Sequence, residues 1–117
     1  MKALFIINDA PYGSEKAYNA LRMAMTLQKE HPDVSVSVFL MADAVTCALA
    51  GQSTPQGYYS VERMLKAVIA KGGQVKACGT CSEARGIKAL GLIDGVEIST
   101  MSQLTQWTVE ADRVLTF

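Results

Sequence analysis

The segment that decides the fold joins a short apolar run to the start of a helix, and it contains two of the three cysteines. It reads Ala77-Cys78-Gly79-Thr80-Cys81-Ser82-Glu83-Ala84-Arg85-Gly86-Ile87. We predict a strand over 74–77 and a short helix over 82–90. A Cys-x-x-Cys between a strand and a helix start is typical of sulfur chemistry, because N–H groups at a helix N-terminus favour an anion and the thiolate is the reactive form of cysteine. We interpret the rest of the chain as a scaffold that presents this loop.

Length and composition limit the class of protein. A chain of 117 residues predicts a single domain, 1–117, and half of its residues are hydrophobic, which is enough to form a core. Eleven basic and eleven acidic residues give a net charge of zero, which argues against nucleic acid as a partner. The first apolar run is too short for a signal peptide, and no run approaches the length of a membrane span. We therefore predict a cytoplasmic protein with reduced thiols and no membrane partner.

Strand and helix patterns alternate on both sides of the cysteine segment. The predicted strands cover 2–8, 34–41, 74–77, 95–99 and 112–117. The predicted helices begin at the caps Ser14, Asp43 and Ser60, at Ser82, and at the capping box that Thr100 opens. The last of these helices is expected to turn Met101, Leu104, Trp107 and Thr108 inward. The alternation predicts an α/β fold, with a parallel sheet covered by helices on both faces.

Ligands of parallel sheets bind beyond the carboxyl ends of the strands. Three loops meet that description, at 8–13, 41–43 and 78–85. Outside the cysteine loop, the residues that we expect to line a cleft are Asp9, Tyr12, Gly13, Ser14 and Asp43. The stretch 11–14 is also a candidate anion cradle at a helix start, although it lacks the glycine spacing of a nucleotide site.

The role of Cys78 has two interpretations on sequence alone. It is either a reactive thiol at the end of a strand or a small buried hydrophobe, as free cysteines often are. Cys81 favours the first, because a second thiol can resolve a sulfenic acid or a persulfide. Arg85 is either a group that stabilises a thiolate or an exposed helix residue. A zinc site needs four ligands, and since Cys47 and His31 lack paired spacing we predict no metal within one chain, no cofactor, and a packing role for Cys47.

Several of these segments together resemble the DsrE/DsrF-like family. The resemblance is carried by residues 8–15, 39–45, 78–81 with 85–86, 92–98 and 111–117, and it spans the whole chain. It implies a three-layer α/β/α sandwich on a five-stranded parallel sheet, and assembly into trimers or hexamers. Family members in sulfur oxidation and in tRNA thiolation carry sulfur as a persulfide on a cysteine, and Cys78 lies where that cysteine falls.

We therefore hypothesise a sulfur carrier or sulfurtransferase that holds persulfide sulfur on Cys78. Cys81 would tune or resolve the persulfide, and Arg85 with the N–H groups of Gly79 and Thr80 would stabilise the anion. The expected partners are copies of the same chain and proteins that donate and accept sulfur. Two alternatives stay open: a thiol-redox switch that uses Cys78 and Cys81, and a non-catalytic oligomeric binding module in which the cysteines are structural.

Overall fold

A parallel sheet of five strands forms the centre of the computed structural model, which describes residues 1–117. The strands are β1 (Lys2–Ile7), β2 (Ser35–Leu40), β3 (Gln74–Cys78), β4 (Val96–Ser99) and β5 (Arg113–Thr116). The helices are α1 (Lys16–Glu30), α2 (Val61–Ala70), α3 (Gly79–Ala84) and α4 (Met101–Glu110), with a 3₁₀ helix at Ala42–Ala48. The strand order is β4-β3-β2-β1-β5, and every neighbouring pair is parallel. The predicted α/β class and the five-stranded parallel sheet are confirmed.

The direction in which the strands follow one another decides which face each helix covers. The chain moves from β1 to β2 to β3 in one direction, so right-handed crossovers place α1 and α2 on the same face, where the two helices contact each other. The connection from β4 to β5 runs back across the sheet and places α4 on the opposite face. There the ring of Trp107 meets Phe39 of β2 edge-on, with 6.1 Å between the centroids. The three-layer arrangement is therefore also confirmed.

Small side chains on α1 let this helix lie close to the sheet. Its fully buried stripe consists of Ala17, Ala20, Leu21 and Ala24, at the helical spacing that the sequence predicts. The stripe belongs to one cluster of 25 buried hydrophobic residues that extends through the strands to α2. None of the helices has the length and apolarity that crossing a membrane requires.

The opposite face is covered less completely, because a single helix lies over it. Leu104 is the only buried residue of α4 and Trp107 is half-buried, whereas Met101 and Val109 are 59% and 77% exposed. The prediction that Met101 and Thr108 turn inward is wrong for this reason: α4 meets the sheet along one narrow line, and the residues on either side of that line stay at the surface.

Two predicted helix caps are confirmed. The Ser60 hydroxyl accepts a hydrogen bond from the Arg63 N–H at 3.3 Å and starts α2, and the Thr100 hydroxyl accepts one from the Gln103 N–H at 3.2 Å and starts α4. Only one of the two hydrogen bonds of the predicted capping box forms at Thr100. The Gln103 side chain accepts a hydrogen bond from the Lys76 ammonium at 3.3 Å instead of one from the Thr100 N–H.

Two other predicted caps are wrong. Ser14 does not begin α1, which starts at Lys16; its hydroxyl donates to the Asp9 carboxylate at 2.7 Å and accepts from the Lys16 N–H at 3.2 Å. Asp43 does not cap the 3₁₀ helix, because its carboxylate is held by Arg85. Asp43 is engaged by a partner outside its helix, whereas Ser14 lies one residue before the cap position, Glu15, and still accepts from the first N–H of α1.

Gly73 gives a direct test of how closely α2, β3 and α1 pack. A Cβ at this position would lie 2.5 Å from Val68 Cγ1, 2.7 Å from the Val68 carbonyl oxygen and 2.9 Å from Gln28 Nε2. The Gln28 amide donates to that carbonyl at 2.9 Å, so an added methyl group would disturb a buried hydrogen bond as well.

We expect Gly73→Ala to lower the free energy of unfolding by about 2 kcal/mol, the usual cost of overpacking. Denaturant unfolding would measure this loss. The matched control is Gly91→Ala, because a Cβ on Gly91 meets nothing within 4 Å. Equal unfolding midpoints for the two variants would contradict the packing described here.

Candidate functional site

Cys78 is both the last residue of β3 and the N-cap of α3. Because the chain turns from strand to helix at this residue, the Cys78 sulfur accepts a hydrogen bond from the Cys81 N–H at 3.3 Å, in the position that a serine or aspartate oxygen commonly takes. The helix therefore begins at Gly79 and not at Ser82, and it ends at Ala84 instead of extending to residue 90. The predicted position of this helix was wrong because a cysteine sulfur, not the Ser82 hydroxyl, caps it.

Further contacts fix the Cys78 sulfur and its main chain. The Thr80 hydroxyl lies 3.3 Å from the sulfur, and the buried Ser82 hydroxyl donates to the Cys78 carbonyl at 2.7 Å. Gly79 allows β4 to approach closely, since a Cβ there would lie 3.0 Å from the Ser99 carbonyl oxygen. Cys78 is 5% exposed, so the residue whose sulfur makes these hydrogen bonds is buried.

The same contacts separate the pKa values of the two thiols. Burial raises the pKa of Cys78, but hydrogen bonds from the Cys81 thiol, the Thr80 hydroxyl and the N–H groups of both residues outweigh it and hold this pKa below the usual thiol range. Burial and the hydrogen bond to Cys78 raise the pKa of Cys81, against the lowering effects of the Ala42 N–H and of Arg85. As pH falls, Cys78 therefore keeps its negative charge longer than an ordinary cysteine does.

Cys81 lies in α3 and connects this helix to the segment that follows β2. Its sulfur accepts a hydrogen bond from the Ala42 N–H at 3.3 Å. Ala42 has a φ of 51° and is the only non-glycine residue with a positive φ, a conformation that costs about 1 kcal/mol or more for an L-residue. The strained peptide is thus aimed at a sulfur atom.

An ion pair closes this connection. The Arg85 guanidinium donates from Nε and Nη2 to Asp43 Oδ1 at 2.9 and 2.7 Å, and from Nη1 to the Cys81 carbonyl at 3.1 Å. We expected Arg85 to act on the Cys78 thiolate, but the structure places it on Asp43 and on the Cys81 main chain. The pairing could not be read from sequence, because Asp43 and Arg85 are 42 positions apart and each is unremarkable alone.

The other residues that we expected at the cleft are engaged elsewhere. The Tyr12 hydroxyl accepts from the Val61 N–H at 3.1 Å, and Ser14 bonds to Asp9, so neither reaches the cysteine loop by a hydrogen bond. A Cβ added at Gly13 would meet only the Ala10 methyl group, at 3.8 Å.

Cys47 is a buried residue of the 3₁₀ helix. Its thiol donates to the Asp9 carbonyl at 3.8 Å. Burial raises the pKa of Cys47 to about 12, which suits the packing role that the sequence suggests. No group of three or more histidine, cysteine or acidic side chains is placed to hold a metal ion.

The chain belongs to the DsrE/DsrF-like family, whose sequence profile matches residues 1–117. It is 47% identical to the protein YchN of Escherichia coli over 116 residues, which cover 99% of this chain and 98% of YchN. It is 41% identical to the protein MJ0989 of Methanocaldococcus jannaschii over 117 residues, with both chains fully covered. The crystal structure of YchN superposes with a TM-score of 0.96 over 100% of this chain and 99% of that one.

The Thr80 hydroxyl provides a test of how the Cys78 charge is stabilised. Thr80→Val keeps the shape of the side chain and removes the donor, so it should raise the Cys78 pKa. We expect the alkylation rate of Cys78 at neutral pH to fall roughly fivefold, equivalent to the loss of about 1 kcal/mol of hydrogen bonding. Alkylation with iodoacetamide over a pH series, followed by mass spectrometry of the cysteine peptide, measures this change.

The matched control is Thr80→Ser, which retains the hydroxyl and should leave the pH profile close to that of the unmodified protein. Identical profiles for the valine and serine variants would show that the hydroxyl does not stabilise the thiolate.

Proposed function

We propose that this protein is a sulfur carrier that holds sulfane sulfur as a persulfide on Cys78. The observation that carries the proposal is the pair of hydrogen-bonding groups on one sulfur: the Cys81 N–H at 3.3 Å and the Thr80 hydroxyl at 3.3 Å. A sulfur atom surrounded in this way is stabilised as an anion, and an anionic sulfur is the nucleophile that sulfur transfer requires.

The proposed reaction exchanges one sulfur atom between two thiols. The Cys78 thiolate attacks the outer sulfur of a donor persulfide, a bond forms between these two sulfurs, and the donor thiolate leaves. The product is a Cys78 persulfide, and neither an oxidant nor a reductant is consumed. An acceptor thiolate then attacks the same outer sulfur and Cys78 leaves as a thiolate, which its hydrogen-bond donors make a good leaving group.

A thiol-redox switch is the second candidate, and one observation favours it. Cys81 lies one helical turn from Cys78, and its main-chain N–H donates to the Cys78 sulfur at 3.3 Å, so both thiols lie at the start of α3. An external oxidant would convert the pair into a disulfide with loss of two electrons and two protons. We favour the carrier because it also accounts for the concentration of hydrogen-bond donors on the Cys78 sulfur.

We further propose that the protein works in the cytoplasm as a homo-oligomer, a trimer or a hexamer, with separate proteins as sulfur donor and acceptor. The oligomer is supported by the apolar side chains that α4 and β5 leave uncovered, namely Met101, Val109 and Val114, which are 59%, 77% and 43% exposed. A cytoplasmic location would keep the three free cysteines reduced.

The carrier predicts a specific chemical product. After incubation with inorganic polysulfide, removal of the excess and trapping with an alkylating agent, the peptide that contains Cys78 should gain the mass of one sulfur atom. Cys78→Ser should abolish the gain, because the nucleophile is lost. Cys47→Ser is the matched control and should load normally, since that thiol is buried and has a pKa of about 12.

A reversible disulfide between Cys78 and Cys81 in place of a persulfide, formed under the same conditions, would favour the redox switch. Loading that persists in Cys78→Ser would contradict the assignment of the carrier sulfur.

The oligomer makes a separate prediction. Light scattering should give a mass three or six times the 12.6 kDa of one chain. Val109→Glu places a charge on the exposed apolar part of α4 and should lower this mass, whereas Arg63→Glu, which changes an exposed residue of α2, should not. A mass of one chain for the unmodified protein would refute the assembly.

A further inference from the structure

The two sulfurs of the Cys-x-x-Cys differ in how easily another molecule can reach them. Cys78 is 5% exposed and is enclosed by its own loop, whereas Cys81 is half-buried and borders the surface beside the exposed Asp43 side chain. The sulfur that is best built to hold charge is therefore not the one that is best placed to meet a partner's thiol. A carrier that both stores and delivers sulfur has to reconcile these two properties.

Cys81 also has a receptor of its own. The Ala42 N–H donates to its sulfur at 3.3 Å, and Ala42 adopts a positive φ of 51°. Asp43 follows Ala42 in the chain, and the Arg85 guanidinium donates two hydrogen bonds to its carboxylate. A third N–H of Arg85 donates to the Cys81 carbonyl. Ala42, Asp43 and Arg85 thus fix the position of the Cys81 sulfur. A purely structural cysteine would not need this arrangement.

We propose that Cys81 is the delivery sulfur of the carrier: sulfane sulfur stored on Cys78 moves to Cys81, in contact with the Ala42 N–H, and acceptor thiols collect it there. The inference rests on the proposed function, since it presupposes a persulfide on Cys78. In this arrangement Asp43 and Arg85 are positioning residues, because they act on Cys81 through the Ala42 peptide and touch no reacting atom.

The internal step is balanced without a co-reactant. The Cys81 sulfur attacks the outer sulfur of the Cys78 persulfide, and a bond forms between these two sulfurs. The bond between Cys78 and the outer sulfur breaks, and Cys78 leaves with the electron pair of that bond and takes up the proton that Cys81 releases. The sulfane sulfur keeps its oxidation level throughout.

The two environments favour this direction of transfer. In thiol exchange the better leaving group is the thiol of lower pKa, and the stronger nucleophile is the thiolate of the thiol with the higher pKa. The donors around Cys78 stabilise it as the leaving group, while the single Ala42 N–H leaves the Cys81 thiolate more nucleophilic.

Localising the extra sulfur within one peptide tests the proposal. The protein is loaded with inorganic polysulfide, desalted, and mixed with glutathione as acceptor; samples are trapped with an alkylating agent at intervals, and fragment-ion mass spectrometry assigns the sulfur to Cys78 or Cys81. We expect extra sulfur on both cysteines before glutathione is added. Cys81→Ser, loaded to completion on Cys78 by a long incubation, should deliver to glutathione roughly tenfold more slowly than the fully loaded unmodified protein, because the remaining persulfide is enclosed.

The distribution of the extra sulfur between Cys78 and Cys81 tests the positioning role of Arg85. Arg85→Gln should shift the loaded sulfur from Cys81 toward Cys78, and Arg85→Lys should restore part of the distribution because an ammonium can still reach Asp43. Glu83→Gln is the matched control: it removes the exposed 2.8 Å ion pair between Glu83 of α3 and Lys88, which involves neither sulfur, and it should leave the distribution unchanged.

Three results would overturn the proposal in distinguishable ways. Sulfur found on Cys78 but never on Cys81, with unimpaired delivery by Cys81→Ser, would refute the delivery role and leave the carrier intact. A Cys78–Cys81 disulfide together with free sulfide would show that Cys81 attacks the inner sulfur and ends the cycle instead of passing sulfur on. No sulfur on either cysteine would refute the carrier itself, and the delivery role with it.

Discussion

The hydrogen bond from the Cys81 N–H to the Cys78 sulfur is the contact on which both the local fold and the chemistry depend. Residue 78 ends a buried strand and caps a helix at the same time, so there is no room for a loop between the two elements. The sulfur is consequently drawn among peptide N–H groups instead of into the hydrocarbon core. A substitution that moved the helix start would move the reactive atom as well.

The sheet and one ion pair together hold the segments around this contact. Parallel strands bring the ends of β2 and β3 to the same edge of the sheet, and the Arg85–Asp43 ion pair then joins the two loops. Both side chains are partly exposed, so the pair itself contributes on the order of 0.5 kcal/mol to stability. Its effect is geometric: it helps to retain a backbone conformation at Ala42 that is unfavourable by itself.

Sequence patterns were sufficient for the features that depend on near neighbours in the chain. A continuous apolar run located β1 and alternating valines located β2, and the α1 stripe and the Ser60 cap followed from helical periodicity and local hydrogen bonding. Features set by distant residues were not accessible. The hydrogen bond from Ser14 to Asp9 and the pairing of Arg85 with Asp43 leave no pattern in the sequence.

The proposed chemistry depends most on the stabilisation of the Cys78 thiolate by the folded chain. The most direct measurement is the ultraviolet absorbance of the thiolate as a function of pH in a Cys47→Ser/Cys81→Ser protein, recorded both folded and in denaturant. Serine at position 81 keeps the main-chain N–H and a hydroxyl donor, so Cys78 should titrate at a lower pH in the folded protein than in the unfolded chain. Coincident titration curves, or a folded curve at higher pH, would contradict the account.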